Sequence, residues 1–142
     1  MKLIAHRGLM FGSDKTNENA PYQIESALDK GFDAEIDLRI VNDKFFLGHD
    51  EPTYEIEESF LENTNFWCHA KNLESLQKML SNSKIHCFWH QDDDYTLTSR
   101  GIIWTYPGKT LTLNSICVLP EWVEQKEINC LGICSDYIEN YK

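Results

Sequence analysis

Glu35 and Asp37 lie two residues apart in a stretch that alternates polar and apolar side chains, Asp33-Ala34-Glu35-Ile36-Asp37-Leu38. Successive side chains of a strand face opposite ways, so the two carboxylates share a face, with alpha carbons roughly 6–7 Å apart. That spacing lets both reach one hard divalent cation, which takes oxygen ligands. It also suits an exposed edge hairpin that holds no ion. His6 and His49 each close an apolar run. One imidazole can take the proton of an attacking hydroxyl while a second protonates the leaving oxygen. Arg7 and Lys71 can stabilise charge on phosphoryl oxygens. A divalent ion on Glu35 and Asp37 would act as Lewis acid and position the substrate. Together these residue types are what cleavage of a phosphodiester requires.

The elements that must position them are short. Lys2 to Ala5 reads as a buried strand feeding the turn His6-Arg7-Gly8. After a polar loop, Asn19-Ala20-Pro21 opens a helix, with Asn as cap, Pro in the first turn and Gly31 at the end. Ile24, Ala27 and Leu28 form its apolar face. The carboxylate strand follows, which makes a parallel strand–helix–strand unit. A turn at Asn42-Asp43 starts the run Phe45-Phe46-Leu47 that delivers Gly48-His49-Asp50. A short helix is expected near Ile56–Leu61. Phe66 to Lys71 reads as a strand with Trp67, His69 and Lys71 on one face, followed by a helix capped by Asn72. Ile85–Trp89, Ile102–Trp104, Ser115–Leu119 and Leu131–Cys134 read as further strands.

Polar residues gather after these strands: His6-Arg7, Asp37-Arg39, His69-Lys71, His90-Asp92, Glu121 and Asp136. In parallel barrels the site lies at the carboxyl ends of the strands. A full eightfold barrel needs roughly 250 residues, and about 200 at the low end. With 142 residues, the expectation is a single domain over residues 1–142 of the α/β class. It would be a trimmed TIM-type (β/α) barrel with several outer helices missing, above all after Trp89. Strand surface left uncovered in that way is often buried by a second subunit, so a homodimer is expected.

The formal net charge is −10. Nucleic acid needs a basic face and is excluded as a partner, and an anionic membrane surface is disfavoured. A small phosphorylated ligand needs only a local positive site. The five cysteines are odd in number and contain no C-x-x-C pair, which reads as small buried hydrophobes in a reducing compartment. The apolar run in Met1–Gly8 is too short for a signal peptide and no later run could span a bilayer. A cytoplasmic protein with no membrane partner is expected.

His6-Arg7-Gly8, Glu18-Asn19, Ser26-Ala27, Gly31-Phe32-Asp33, Glu35-Ile36-Asp37, Asp43 and His49-Asp50 resemble, in order and spacing, the N-terminal signature of the glycerophosphodiester phosphodiesterases. These belong to a wider superfamily with the phosphatidylinositol-specific phospholipases C. The likeness covers about the first third of the chain. Lys71, two residues after His69, also fits, and beyond it the likeness thins. The resemblance implies a TIM-type barrel and metal-dependent hydrolysis of a small phosphodiester. A neighbouring substrate hydroxyl would attack phosphorus, and water would open the cyclic product. It implies His6 and His49 as the acid–base pair, Glu35 and Asp37 as metal ligands with Glu18 near the ion, and Arg7 and Lys71 as phosphate contacts. Magnesium or calcium is the implied ion.

The chain departs from that pattern at His69, where many members carry a third acidic ligand. Imidazole suits manganese, zinc or nickel better than magnesium or calcium, which makes His69 a candidate ligand ahead of the other reading, a hydrogen-bonding residue with no ion near it. Shortness is the second departure, since the missing elements usually build substrate pockets, and glycerol specificity does not carry over. Two rivals stand beside the hydrolase. One is a non-catalytic module that binds a phosphorylated metabolite, and the other is a lyase that stops at the cyclic product. Tyr106-Pro107-Gly108-Lys109-Thr110 imitates the end of a P-loop, but Ile103 stands where the first glycine is needed, so a turn is expected. Trp104 and Tyr106 could line a ligand or pack in the core. Asp92-Asp93-Asp94 reads as a solvated loop and His86 as a packed residue. Glu121 and Asp136 follow strands and could face the site.

Overall fold

Alternation sets the faces of the first strand, and the sheet grows outward from it. In the structure, a computed structural model describing residues 1–142, β1 spans Lys2–His6 and leads through a loop to helix α1, Pro21–Asp29. The long strand β2 (Asp33–Val41) turns back through β3 (Lys44–Leu47) to β4 (Tyr54–Ile56). Strand β5 (Phe66–Ala70), helix α2 (Leu73–Leu80), β6 (Cys87–Phe88), β7 (Tyr95–Leu97), β8 (Ile103–Thr105), β9 (Ser115–Val118) and β10 (Gly132–Ser135) follow. Single 3-10 turns lie at Glu58–Glu62, Pro120–Trp122 and Ile138–Tyr141.

The last strand returns to the first. β10 pairs in parallel with β1, and β1 with β2, β2 with β5, β5 with β6, β8 with β9 and β9 with β10 do the same. β7 runs antiparallel to β8. The two ends of this curled sheet, β6 and β7, form no ladder. They meet where the Ser99 N–H donates to the Cys87 carbonyl at 2.8 Å, with side-chain bonds from Cys87 N–H to Ser99 Oγ (2.9 Å) and from Thr96 Oγ1 to the Trp89 carbonyl (3.0 Å). The class is α/β, as expected, but the sheet is not a full TIM barrel. One edge strand is reversed, closure is incomplete, and only two α-helices are present. The reason lies in lengths: the connections from β6 onward are too short or too polar to build a helical crossover. The shortage leaves a shallow cleft of about 480 Å³ against β7 and β8, lined by Tyr95, Leu97, Ile103 and Thr112.

Both helices pack against the other arm of the sheet, on β2, β5 and β6. There Ile24, Ile36, Leu38, Cys68, Ala70 and Met79 form the largest apolar cluster. The opposite face of the sheet turns inward, where Ile4, Trp67, Phe88, Trp104, Ile116 and Cys134 pack together. Trp67, Phe88 and Trp104 fill that space with tilted ring pairs, 4.6 Å between the Phe88 and Trp104 centroids and 5.8 Å between Trp67 and Trp104. Large aromatic rings occupy much volume per residue, which lets a short chain fill a curled sheet.

Several local readings change. The acidic segment expected as a helix near Ile56–Leu61 instead places Ile56 in β4 and keeps only the 3-10 turn Glu58–Glu62. β7 was not anticipated, because one residue after three aspartates begins a three-residue strand with too little periodicity to read. Asn19 does not cap α1; Ala20 holds the cap position with no side-chain bond, and Pro21 is the first helical residue. Asn72 does cap α2, accepting from the Ser75 N–H. All five cysteines are free.

Candidate functional site

Residues that alternate with the inward core emerge above it at the carboxyl ends of the strands. Ile4 is core and His6 is the next residue on the same face of β1; Trp67 and His69 stand in the same relation on β5. On β2, Glu35 and Asp37 project inward while Ala34, Ile36 and Leu38 pack outward. Register then aligns them: β1 sets His6 beside Glu35, and β5 sets His69 beside Asp37.

The two carboxylates are buried, Glu35 at 1% exposure and Asp37 at 0%. A buried charge requires partners. Glu35 Oε1 lies 3.3 Å from His69 Nδ1, and Glu35 Oε2 lies 3.8 Å from His6 Nε2 and accepts from the Arg7 N–H at 3.1 Å. Burial works to raise the Glu35 pKa. The His69 bond and the charges of His6, His69 and Arg7 outweigh it and hold the carboxyl at about 2. Asp37 Oδ2 accepts from Asn19 Nδ2 at 2.9 Å, and Asn19 Oδ1 accepts the Asp37 N–H at 2.9 Å. Asp37 Oδ1 is buried with no hydrogen-bond donor, and His69 Nδ1 lies 3.4 Å from it. Glu35, Asp37 and His69 each present one ligand atom, all within 4.8 Å of one another, so they could hold a metal ion. An acceptor oxygen buried without a donor, beside a second carboxylate and an imidazole, fits a divalent cation.

Glu18 is not in that group. Its carboxylate accepts from Arg7 Nη1 at 2.8 Å, and Arg7 Nε lies 3.3 Å from Asp37 Oδ2. Arg7 is therefore a strut between two carboxylates, and Glu18 reaches the cluster only through it. Arg7 has φ +53°, a left-handed turn that swings its side chain across the ends of β1 and β2. Lys71 makes no ion pair with any carboxylate and lines the same cleft.

His6 and His49 are each held by an aspartate. His6 Nδ1 lies 2.7 Å from Asp136 Oδ1, and His49 Nδ1 lies 2.8 Å from Asp50 Oδ1. An ionised carboxylate only accepts, so each Nδ1 carries the proton and each Nε2 is the nitrogen left for chemistry. Burial works to lower the His6 pKa, but the Asp136 bond and the Glu35 charge prevail and raise it. His49 rides on the turn after β3, where Arg39 donates to the carbonyls of Gly48 and His49.

These groups open into one cleft of about 390 Å³. His6, Arg7, Glu35, His49, His69 and Lys71 form its polar side; Tyr106, Leu119 and Trp122 belong to its other wall. Trp104 and Tyr106 both line the cleft, Trp104 as a core residue only 2% exposed and Tyr106 as a wall residue 40% exposed. His86 is packed, its ring 4.4 Å from Trp67 and its Nε2 bonded to Thr98 Oγ1, and burial drives its pKa down to about 4. Glu121 does not line the cleft; it accepts from Ser135 Oγ and from the Asp136 N–H. The segment Tyr106–Thr110 is a turn, as expected.

Asn19, Asp136 and His90 complete the arrangement. Asn19 reads as a cap in the sequence but clasps Asp37. Asp136 has only its position after the last strand to mark it. The His90 carbonyl, which lies 2.8 Å from His69 Nε2, carries no side-chain signal at all. No helix is long and apolar enough to cross a membrane. No family model, no curated protein and no solved structure matches the chain.

Proposed function

We propose that the chain is a metal-dependent phosphoric diester hydrolase acting on a small, glycerophosphodiester-like substrate, built on a TIM-type barrel trimmed of most of its outer helices. One observation carries the reading: two aspartate-anchored imidazoles, His6 and His49, share a cleft with a carboxylate–histidine cluster and with the unpaired cation Lys71. A binding module has no need of two anchored acid–base groups, which favours an enzyme.

Each residue then has a part. A substrate hydroxyl next to the phosphate attacks phosphorus, and one imidazole Nε2 takes its proton. The bond from phosphorus to the leaving alcohol breaks, and the other imidazole gives that oxygen its proton, leaving a cyclic phosphodiester. In a second step water adds to phosphorus, the two histidines exchange roles, and the ring opens. Lys71 meets the non-bridging oxygens as a point charge. Arg7, already bound to Glu18 and Asp37, offers the free face of its guanidinium to the same oxygens. Glu35 and Asp37, with His69, would hold a divalent ion, which supplies Lewis acidity toward the phosphoryl oxygens. Asn19 fixes Asp37 so that Oδ1 faces the site.

The test is turnover of glycerophosphodiesters and of a generic aryl phosphodiester with magnesium, calcium, manganese or zinc added in turn. EDTA-treated protein and His6→Ala are the controls. Metal-dependent turnover that disappears in the variant is the expected result. Folded protein that binds metal and cleaves no diester with any ion would overturn the reading.

A further inference from the structure

His69 is held in a way that decides which ion the cluster takes. Its Nε2 lies 2.8 Å from the main-chain carbonyl of His90. A carbonyl oxygen only accepts, so that contact is made when Nε2 carries a proton. The His90 N–H is directed at the same nitrogen, at 3.3 Å, so both main-chain groups of His90 engage Nε2. The other nitrogen, Nδ1, is the one turned to Glu35 Oε1 and Asp37 Oδ1, at 3.3 and 3.4 Å. Without an ion it donates to the Glu35 carboxylate, and an ion would take the place of that proton and leave the remaining one on Nε2. The ring itself cannot turn away. It stacks on Phe88, 4.8 Å between centroids and 15° between planes, and is largely buried. The His90 side chain in turn closes its own loop by a 2.5 Å bond from Nε2 to the Asp93 carbonyl, which fixes the carbonyl that holds His69.

Outer groups of this kind fix the tautomer and the aim of a ligating imidazole. The ligand set is thus two carboxylate oxygens and one imidazole nitrogen. Oxygen-only sets suit magnesium and calcium, whereas mixed nitrogen and oxygen sets favour the later first-row ions. From these contacts we infer that the site selects a borderline transition ion of the manganese, cobalt or zinc type over magnesium and calcium. His69 Nδ1 is the selecting ligand, and the His90 carbonyl is the group that aims it. The inference rests on Glu35 and Asp37 as ligands but not on the diesterase chemistry.

The experiment measures binding, not turnover. Protein stripped with EDTA is titrated with zinc, cobalt, manganese, magnesium and calcium by calorimetry. Cobalt binding is followed by its visible ligand-field bands, and zinc binding by the nitrogen NMR shifts of the His69 ring. Zinc and cobalt should bind more than about 100-fold tighter than magnesium or calcium, and zinc should shift Nδ1 of His69 while Nε2 keeps its proton. His69→Asp should reduce that preference at least about 10-fold. If that variant loses its fold, His69→Gln and the NMR shift in the unaltered protein carry the test. Equal affinity for all five ions, a zinc shift at Nε2, or no shift at His69 at all would overturn the inference. Selective binding without diester turnover would leave it standing and sink the proposed activity. Turnover that ignores metal in a protein that binds none would sink the inference and the metal dependence of the activity, and leave the two-histidine diester cleavage standing.

Discussion

Nδ1 of His6 and Oδ1 of Asp136 meet at 2.7 Å although the residues are 130 positions apart. The bond joins the end of the first strand to the end of the last, and it exists because β10 returns to pair with β1. It leaves Nε2 of His6 as the free nitrogen. Asp136→Asn puts an amide where the acceptor was. The neutral imidazole then favours the proton on Nε2, so that nitrogen can no longer accept. Diester turnover should fall by about 10²- to 10⁴-fold with the fold intact. Steady-state kinetics with a circular dichroism control decide it; unchanged kcat removes His6 from the chemistry.

His49 stands partly exposed on a turn, so its loss costs little packing. His49→Ala should abolish turnover to at least about 10²-fold, while stability stays within about 0.5 kcal/mol of the starting protein and metal affinity is unchanged. Calorimetry and denaturant melts on the same preparation read all three quantities. Full activity in the variant would refute the role given to His49.

Gly48 sets where His49 goes. Its φ is +152°, and a Cβ there would sit 1.8 Å from the Glu51 carbonyl oxygen and 2.9 Å from Thr53 Oγ1. The turn has no room to yield without moving. Gly48→Ala should destabilise the protein by about 1–3 kcal/mol and reduce turnover more than stability alone explains. A denaturant midpoint equal to that of the unaltered protein would show that the turn relaxes freely.

Asn19 exchanges two bonds with Asp37 in a fully buried position, with φ +60°. Asn19→Ala strands both partners and places a non-Asn side chain in left-handed backbone. A loss of about 2–4 kcal/mol is expected, read as a lower urea midpoint with an unchanged slope.

The metal-free protein should have a bounded pH range of greatest stability. Burial works to raise the Glu35 pKa, but the His69 bond and nearby cations hold it at about 2 against 4.5 unfolded. Its contribution is full above 4.5 and is lost as pH falls through about 2. His6 is raised above 6.5, since the Asp136 bond and Glu35 outweigh burial. Its contribution is full below 6.5 and is lost as pH rises through the raised value. His86, held at about 4 by burial, works in the opposite sense over the same interval, so the His6 contribution is read as a difference: His6→Gln should lower the urea midpoint more near about pH 5.5 than near about pH 8.5. An equal loss at both values would contradict the His6–Asp136 pairing.

Much of this site is legible before any coordinates. Alternation groups Glu35 with Asp37 on one strand and Trp67 with His69 and Lys71 on another, and in the structure both sets turn to the inner face of the sheet. The hairpin at Asn42-Asp43 is legible because both residues tolerate the left-handed backbone that the turn uses. What escapes is what depends on distance in sequence. The bond of Asp136 to His6 and the clasp of Asn19 on Asp37 are long-range matters of register, and an Asn before Pro looks like a cap in any helix. β7 escapes because three residues carry too little pattern. The incomplete closure of the sheet escapes for a related reason: strand counting cannot show that β7 runs backward.

The join between β6 and β7 has one further effect. Elsewhere the sheet is held by continuous ladders, but here a single main-chain bond, Ser99 N–H to the Cys87 carbonyl, spans the two edges. The loop that starts at His90 leaves β6 on this side and carries the carbonyl that holds His69. Local opening is expected to begin at this margin, and amide hydrogens near it should exchange with solvent before those of β1 and β2. The molecule has a soft side and a rigid side, and the imidazole of the candidate metal cluster hangs from the soft one.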